Sequence, residues 1–228
     1  MHTTTVSDVM THDVVTAAPA TPFKDLVDLM VGEGISALPV VGAGGHLLGV
    51  VSEADVLCKD EHLDDQPQVV PPRFARHSVH AHWAKATGLT AAELMTSPAL
   101  CIASDASIPT AARQLVQAGV RRLCVVDGGR LVGVVARRDL LRPFLRGDRE
   151  IKDQIDTEVL HTALRVNPAM VRVTVEHGVV LLTGRLEYQG SVATAIELIR
   201  AVPGVVAVRN RLDWQWNGHG PRVAEVLA

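Results

Sequence analysis

Gly49-Val50-Val51-Ser52-Glu53-Ala54-Asp55 returns as Gly133-Val134-Val135-Ala136-Arg137-Arg138-Asp139, and this recurrence decides how the chain is read. Working outward, Met10-Thr11 recurs as Met95-Thr96, Gly34 as Gly119 and Leu38 as Leu123, each 85 positions later. A constant offset marks an internal repeat. After Val40-Val41 and Val125-Val126 the offset falls to 84, because VVGAGGHLLGVV and VVDGGRLVGVV differ by one residue in a Gly-rich turn. Hairpin turns absorb such a deletion readily.

Each copy carries the same order of periodicities. Phe23, Leu26, Val27 and Met30 stand at helical spacing and are matched by Ile108, Ala111, Ala112 and Leu115. Two apolar strands follow: Ala37 to Val41 and Leu47 to Val51 in the first copy, Leu123 to Val126 and Leu131 to Val135 in the second. A short helix is expected after each second strand, opening at Ser52 and at Arg137.

The motif places a hydroxyl at a helix start and a carboxylate three positions on, so Ser52 and Asp55 share one face. Unpaired N–H groups of a helix start and a hydroxyl suit a phosphate, and a carboxylate can accept both hydroxyls of a ribose. The same residues fit a local role, with Ser52 capping the helix and Asp55 strengthening its first turn. The residues alone leave both readings open. The second copy keeps Asp139 but has Ala136 where the first has Ser52. Arg121, Arg122, Arg137 and Arg138 either offset that loss by gripping phosphate bidentately or form a surface cluster.

M-T, then L-P-V-V, then G-V-V-S-E-A-D resembles the cystathionine-β-synthase-type (CBS) domain, and the tandem over residues 6 to 147 resembles a Bateman module. The resemblance implies an α/β (α+β) fold with pseudo-two-fold symmetry that binds an adenine nucleotide (AMP, ADP, ATP or a related ligand) and requires no cofactor. It implies a first site from Thr16, Ala17, Ala18, Ala37, Leu38, Pro39, Ser52 and Asp55. The second would use Cys101, Ile102, Arg122, Leu123, Cys124, Arg137 and Asp139, with Cys101 at the Thr16 position and Cys124 at the Pro39 position. These two thiols are expected to approach each other as small packing groups. It also implies a homodimer through helices whose apolar faces include Leu26, Met30, Leu115 and Val116.

Between the copies, Cys58 to Leu89 is irregular and polar, and reads as a linker leading into a helix. His77, His80 and His82 invite a zinc reading, but their spacings match no single helical face and no Cys accompanies them, so no metal is expected.

From residue 150 the repeat stops. Ile151, Ile155 and Leu164 mark an amphipathic helix, and Val171, Val173 and Val175 alternate with Arg172 and Thr174 as a strand. His177-Gly178 makes a turn into a strand Val179 to Leu182, followed by a helix Ser191 to Ala201 and a strand Val205 to Leu212. The run E-H-G-V-V-L-L-T-G with P-G-V-V-A-V-R-N-R-L resembles the BON domain, a small α-β-β-α-β unit, which implies a phospholipid or protein partner. Residues 150 to 228 hold 8 Lys plus Arg against 9 Asp plus Glu, which is no polybasic patch. Trp214 and Trp216 read either as an interfacial anchor or as a cap on the sheet edge.

Composition narrows the function classes. The 228 residues suffice for two small domains, and a 47% hydrophobic but only 3% aromatic content means cores of Val, Leu, Ile and Ala, without stacking platforms for single-stranded nucleic acid. A formal charge of -3 gives no basic surface for duplex binding, so no nucleic-acid partner is expected. The start MHTTTVSDVM carries no export signal and no window approaches a bilayer span, so the expected location is cytoplasmic or peripheral to the membrane. No phosphate loop, G-x-S-x-G, H-E-x-x-H or paired catalytic carboxylates occur, which argues against an enzyme. The expected organisation is a first CBS domain over 1-57, a linker with helix over 58-90, a second CBS domain over 91-147, a BON domain over 150-216 and a tail over 217-228. The expected role is regulatory, of the bacterial stress-response kind. The rival is an envelope-associated structural protein whose CBS pair only dimerises.

Overall fold

The computed structural model describes residues 4–58, 85, 87–167 and 169–218. His77, His80 and His82, and most of the expected linker, lie outside these residues. The chain divides into two compact units, one holding Val6–Arg137 and the other the chain from Arg138 onward.

The first repeat of the first unit runs α1 (Val6–Val9), α2 (Phe23–Gly32), β1 (Ala37–Val41), β2 (Leu47–Ser52) and α3 (Glu53–Leu57). The second runs α4 (Ala91–Leu94), β3 (Cys101–Ala103), α5 (Ile108–Gln117), β4 (Arg122–Asp127) and β5 (Arg130–Ala136). The hairpins pair antiparallel, Ala37 opposite Ser52 and Arg122 opposite Ala136, each with one irregularity where the offset between the copies changes. β3 lies parallel to β4, with Ile102 opposite Val125, and a single bridge between Ala17 and Val40 stands at the same place in the first repeat. The helical spacing is realised: α2 buries Leu26 and Met30, α5 buries Ala111 and Leu115.

The repeats complete each other. Thr96 exchanges backbone hydrogen bonds with Val50 of β2 at 2.9 and 3.1 Å, and Thr11 exchanges them with Val134 of β5 at 2.9 and 3.0 Å. Each Met-Thr pair therefore lies on the last strand of the other copy. That closeness explains the repeated glycines: a Cβ on Gly49 would stand 2.7 Å from Met95 Sδ, and one on Gly133 would stand 2.5 Å from Met10 Sδ. The lead-in helices follow the same exchange. Ala91 and Leu94 of α4 are fully buried in one core with Leu26, Leu38, Val40 and Val51 of the first repeat. Removing a leucine from such a site to leave Ala costs about 2–5 kcal/mol.

The expected helix at Arg137 is absent as an α-helix. A 3-10 helix spans Asp139–Leu145 instead, with Pro143 inside it. Proline has no N–H to donate to the carbonyl four residues back, so the α pattern cannot run through it.

In the second unit, α6 (Asp148–Gln154) continues as π-helical turns over Ile155–Ala163, followed by β6 (Val171–Glu176), β7 (Val179–Tyr188), α7 (Gln189–Arg200) and β8 (Ala207–Trp216). β6 and β7 are antiparallel, β7 and β8 parallel, in the order β6-β7-β8. Ile151, Ile155, Val180, Leu182, Ala195 and Ile199 form the centre of its core. His177 and Gly178 turn with φ of 51° and 73°, and the Asp148 carboxylate accepts both of their N–H groups at 2.8 Å. The N–H of Gly178 first, then that of His177, hold the Asp148 carboxyl below its ordinary range. The strands run longer than the sequence alone suggests. Trp214 pairs with Leu186 and Trp216 with Tyr188, so both tryptophans extend the ladder instead of following it. Aromatic residues suit a pleated surface, and strand pairing continues through them. Among the described residues no helix is long and apolar enough to cross a membrane.

Candidate functional site

The first motif is built by an abrupt strand-to-helix change. Ser52 ends β2 in extended conformation and α3 begins at Glu53. The Asp55 carboxylate turns back on the turn: its Oδ2 accepts the Ser52 N–H at 2.8 Å and the Ser52 hydroxyl at 2.6 Å. The local role foreseen for this pair, capping the helix start, is thus present. It does not account for Asp55 Oδ1, which holds the ammonium of Lys85. Lys85 also donates to Thr96 Oγ1 at 2.7 Å.

Asp55 is 8% exposed and Asp139 5%, and they are the buried charged side chains among the described residues. Burying a carboxylate is costly unless it is paired and hydrogen-bonded, and Asp55 meets both conditions through Ser52 and Lys85. Asp139 pairs with Arg142 at 3.6 Å on its own 3-10 helix.

Around Ser52 and Asp55 lies a cavity of about 530 Å³. That volume falls in the range of small-molecule sites. One side consists of Ser36, Ala37, Pro39, Val50, Ser52, Glu53, Ala54 and Asp55 from the first repeat. The other consists of Thr96, Pro98, Ala99, Leu100, Gly119, Val120, Arg121, Arg122, Leu123, Cys124 and Val134 from the second. Pro39, Val50, Leu100, Val120 and Leu123 provide apolar walls, Asp55 an anionic acceptor, and Arg121 and Arg122 cationic donors. Arg122 is steadied by donating to Ser36 Oγ at 2.7 Å. The set combines apolar walls with a buried carboxylate and two guanidinium groups.

The cavity brings together Ala37, Pro39, Ser52, Asp55, Arg122, Leu123 and Cys124 of the residues singled out from sequence. It does not include Thr16, Ala17, Ala18, Leu38, Cys101, Ile102, Arg137 or Asp139. Ala17 is tied to Val40 in a bridge, and Leu38 and Ile102 are buried core residues at 0% and 6% exposure. Arg137 is exposed, and its Nε donates to the Val120 carbonyl at 3.2 Å, bracing the segment that lines the cavity. In this cavity the surface opposite Asp55 comes from the second repeat, because the Met-Thr segments exchange, and Thr16 to Ala18 are not part of its lining. Cys101 and Cys124 do approach, as register partners on adjacent parallel strands. Burial first, and then Cys101, push the Cys124 thiol up to about 12, so it is a neutral wall group at pH 7. Lys85, Thr96 and the Pro98–Leu100 stretch were not found from sequence. Thr96 was visible as half of a repeated Met-Thr pair; Lys85 carried no signal, since only folding brings it to a carboxylate 30 positions away.

Residues 6–60 and 91–146 match the CBS domain family, and residues 147–215 match the BON domain family. The chloroplastic CBS domain-containing protein CBSX2 of Arabidopsis thaliana is 30% identical over 162 residues, spanning 65% of this chain and 67% of its own length. CBSX1 of the same plant is 30% identical over 159 residues, spanning 64% and 67%. A crystal structure of CBSX2 in complex with AMP superposes with a TM-score of 0.54 at 32% identity, over 62% of this chain and 96% of that one.

Proposed function

The chain belongs to the family of CBS-domain proteins and carries a BON domain after its CBS pair, and from that premise we propose that it is a regulatory, non-enzymatic protein that binds an adenosine-containing nucleotide between its two repeats. The observation that carries the reading is the cavity around Asp55, which sets a buried carboxylate, apolar walls and two arginines around a space of nucleotide size. A base fits the apolar walls, Asp55 accepts from the ribose hydroxyls, and Arg121 and Arg122 face the phosphate. The likeness to a relative solved with AMP supports the same ligand class.

Titration calorimetry and thermal unfolding with AMP, ADP, ATP, NADH and S-adenosylmethionine test this. A ligand selective for the folded state stabilises it by about 2.7 kcal/mol at a hundredfold excess over Kd. Asp55→Ala is expected to lose about 1.5–3 kcal/mol of binding, or about 10- to 150-fold in Kd, because a charge-assisted hydrogen bond is removed. The helix start loses about 1 kcal/mol with its cap, and the lost Lys85 ion pair adds to that cost. Absence of binding by all five ligands overturns the reading.

The regulated output is assigned to the surfaces outside the cavity. Leu26, Met30 and Leu115, expected at a dimer face, are instead consumed by the chain's own core, at 0%, 5% and 1% exposure. Val31 of α2 at 77% and Val116 of α5 at 72% exposure remain available for a homodimer, which light scattering tests. Val206 and Trp216, 62% and 60% exposed, support a partner or phospholipid role for the BON domain, which co-sedimentation with anionic vesicles tests.

A further inference from the structure

Asp55, as it stands, is engaged on both oxygens. Oδ2 is taken by the Ser52 N–H and hydroxyl, and Oδ1 by Lys85. A ribose diol arriving at this carboxylate meets an ammonium already in place. Lys85 is held there by a second anchor, Thr96 Oγ1 at 2.7 Å, and Thr96 itself lines the cavity. The ion pair is largely shielded, with the Lys85 side chain 20% and the Asp55 side chain 11% exposed. Lys85 comes from the insert between the repeats, whereas Asp139 has an ion pair with Arg142, three positions along the same helix.

We infer that Lys85 is a specificity-determining residue of this cavity, making it prefer phosphorylated ligands over neutral nucleosides; the inference rests on the nucleotide reading above. To accept a diol, Asp55 Oδ1 must give up Lys85. A shielded ammonium deprived of its carboxylate needs another anion. A phosphate supplies one, and the flexible four-carbon stem of lysine lets the charge follow it toward Arg121 and Arg122. A nucleoside without phosphate supplies none and bears the full loss of the ion pair.

The experiment is calorimetric titration of the full chain with AMP and with adenosine, in the wild type, Lys85→Met, Lys85→Arg and Thr96→Val. Wild-type protein is expected to bind AMP well above adenosine. In Lys85→Met adenosine is expected to gain about 10-fold while AMP loses affinity or holds, so the AMP-to-adenosine ratio falls by 10-fold or more. Lys85→Arg is expected to keep most of the preference. Thr96→Val, which leaves the ion pair but removes its second anchor, is expected to shift the ratio in the same direction by a smaller factor, and it serves if Lys85→Met fails to fold. A ratio unchanged in both Lys85→Met and Thr96→Val, with AMP still bound, overturns the role of Lys85 and leaves the nucleotide reading standing. Failure of the wild type to bind either ligand overturns both.

Discussion

Asp55 and Asp139 hold the same place in a repeated sequence, and both are buried, yet their surroundings differ. Asp55 sits in a capped turn, receives two donors from Ser52 and one from a distant lysine, and opens onto the cavity. Asp139 begins a 3-10 helix interrupted by Pro143, follows an alanine where the first copy has the serine, and pairs with Arg142. The strands leading to them are nearly superimposable in register, down to the shift after Val40 and after Val125. The copies agree where both halves of the core pack and differ at the motif ends.

The largest effect that sharpens this comparison is expected where the copies are alike. Gly133→Ala places a methyl 2.5 Å from Met10 Sδ and 2.9 Å from the Thr11 carbonyl. Gly49→Ala does the same at 2.7 Å from Met95 Sδ and 2.9 Å from the Thr96 carbonyl. Overpacking against backbone costs about 1–3 kcal/mol. Denaturant unfolding should therefore show losses near 2 kcal/mol at both positions and of similar size. A loss at one alone would mean that the exchange of Met-Thr segments is not symmetric.

A smaller effect is expected where the copies differ. Ser52→Ala gives the first motif the alanine that the second has at this position and removes the hydroxyl bond to Asp55. The expected loss is about 1 kcal/mol in unfolding free energy, with nucleotide affinity falling less than in Asp55→Ala. An affinity loss as large as that of Asp55→Ala would put the serine hydroxyl on the ligand itself.

The smallest effect at neutral pH concerns the thiols of the second copy. Cys124 is raised from 9.0 to about 12 by burial and by Cys101. The neutral thiol is what the fold favours, so its stability is complete below pH 9 and declines as pH rises from 9 toward 12. Cys124→Ala should flatten that decline in unfolding measured across the interval. At pH 8 the exposed Cys101 should be alkylated by iodoacetamide well before Cys124. Equal rates would contradict the packing of β3 against β4.

Much of this was legible in the residues. The helical spacing of Phe23 to Met30, the strands Ala37 to Val41 and Leu47 to Val51, and the turn at His177-Gly178 are all found where the pattern puts them. The helix after Arg137 was misread because its motif matched the first copy while Pro143, four positions beyond Asp139, had the opposite effect. The last strand runs past its expected end at Leu212 because no local stop signal stands there: Leu212 to Trp216 continue a ladder set by β7, and both tryptophans lie on the edge strand of the sheet.

By itself the sequence determined the doubled unit, its strands and helices, and the identity of the two carboxylates, because periodicity, turn chemistry and self-similarity are written over a few neighbouring residues. Only the tertiary structure decided which repeat faces Asp55, and that Lys85, anchored on Thr96, meets it there. Those contacts depend on segments exchanging across a symmetric core, and residue spacing along a chain does not encode which of two equivalent halves a segment will cross to.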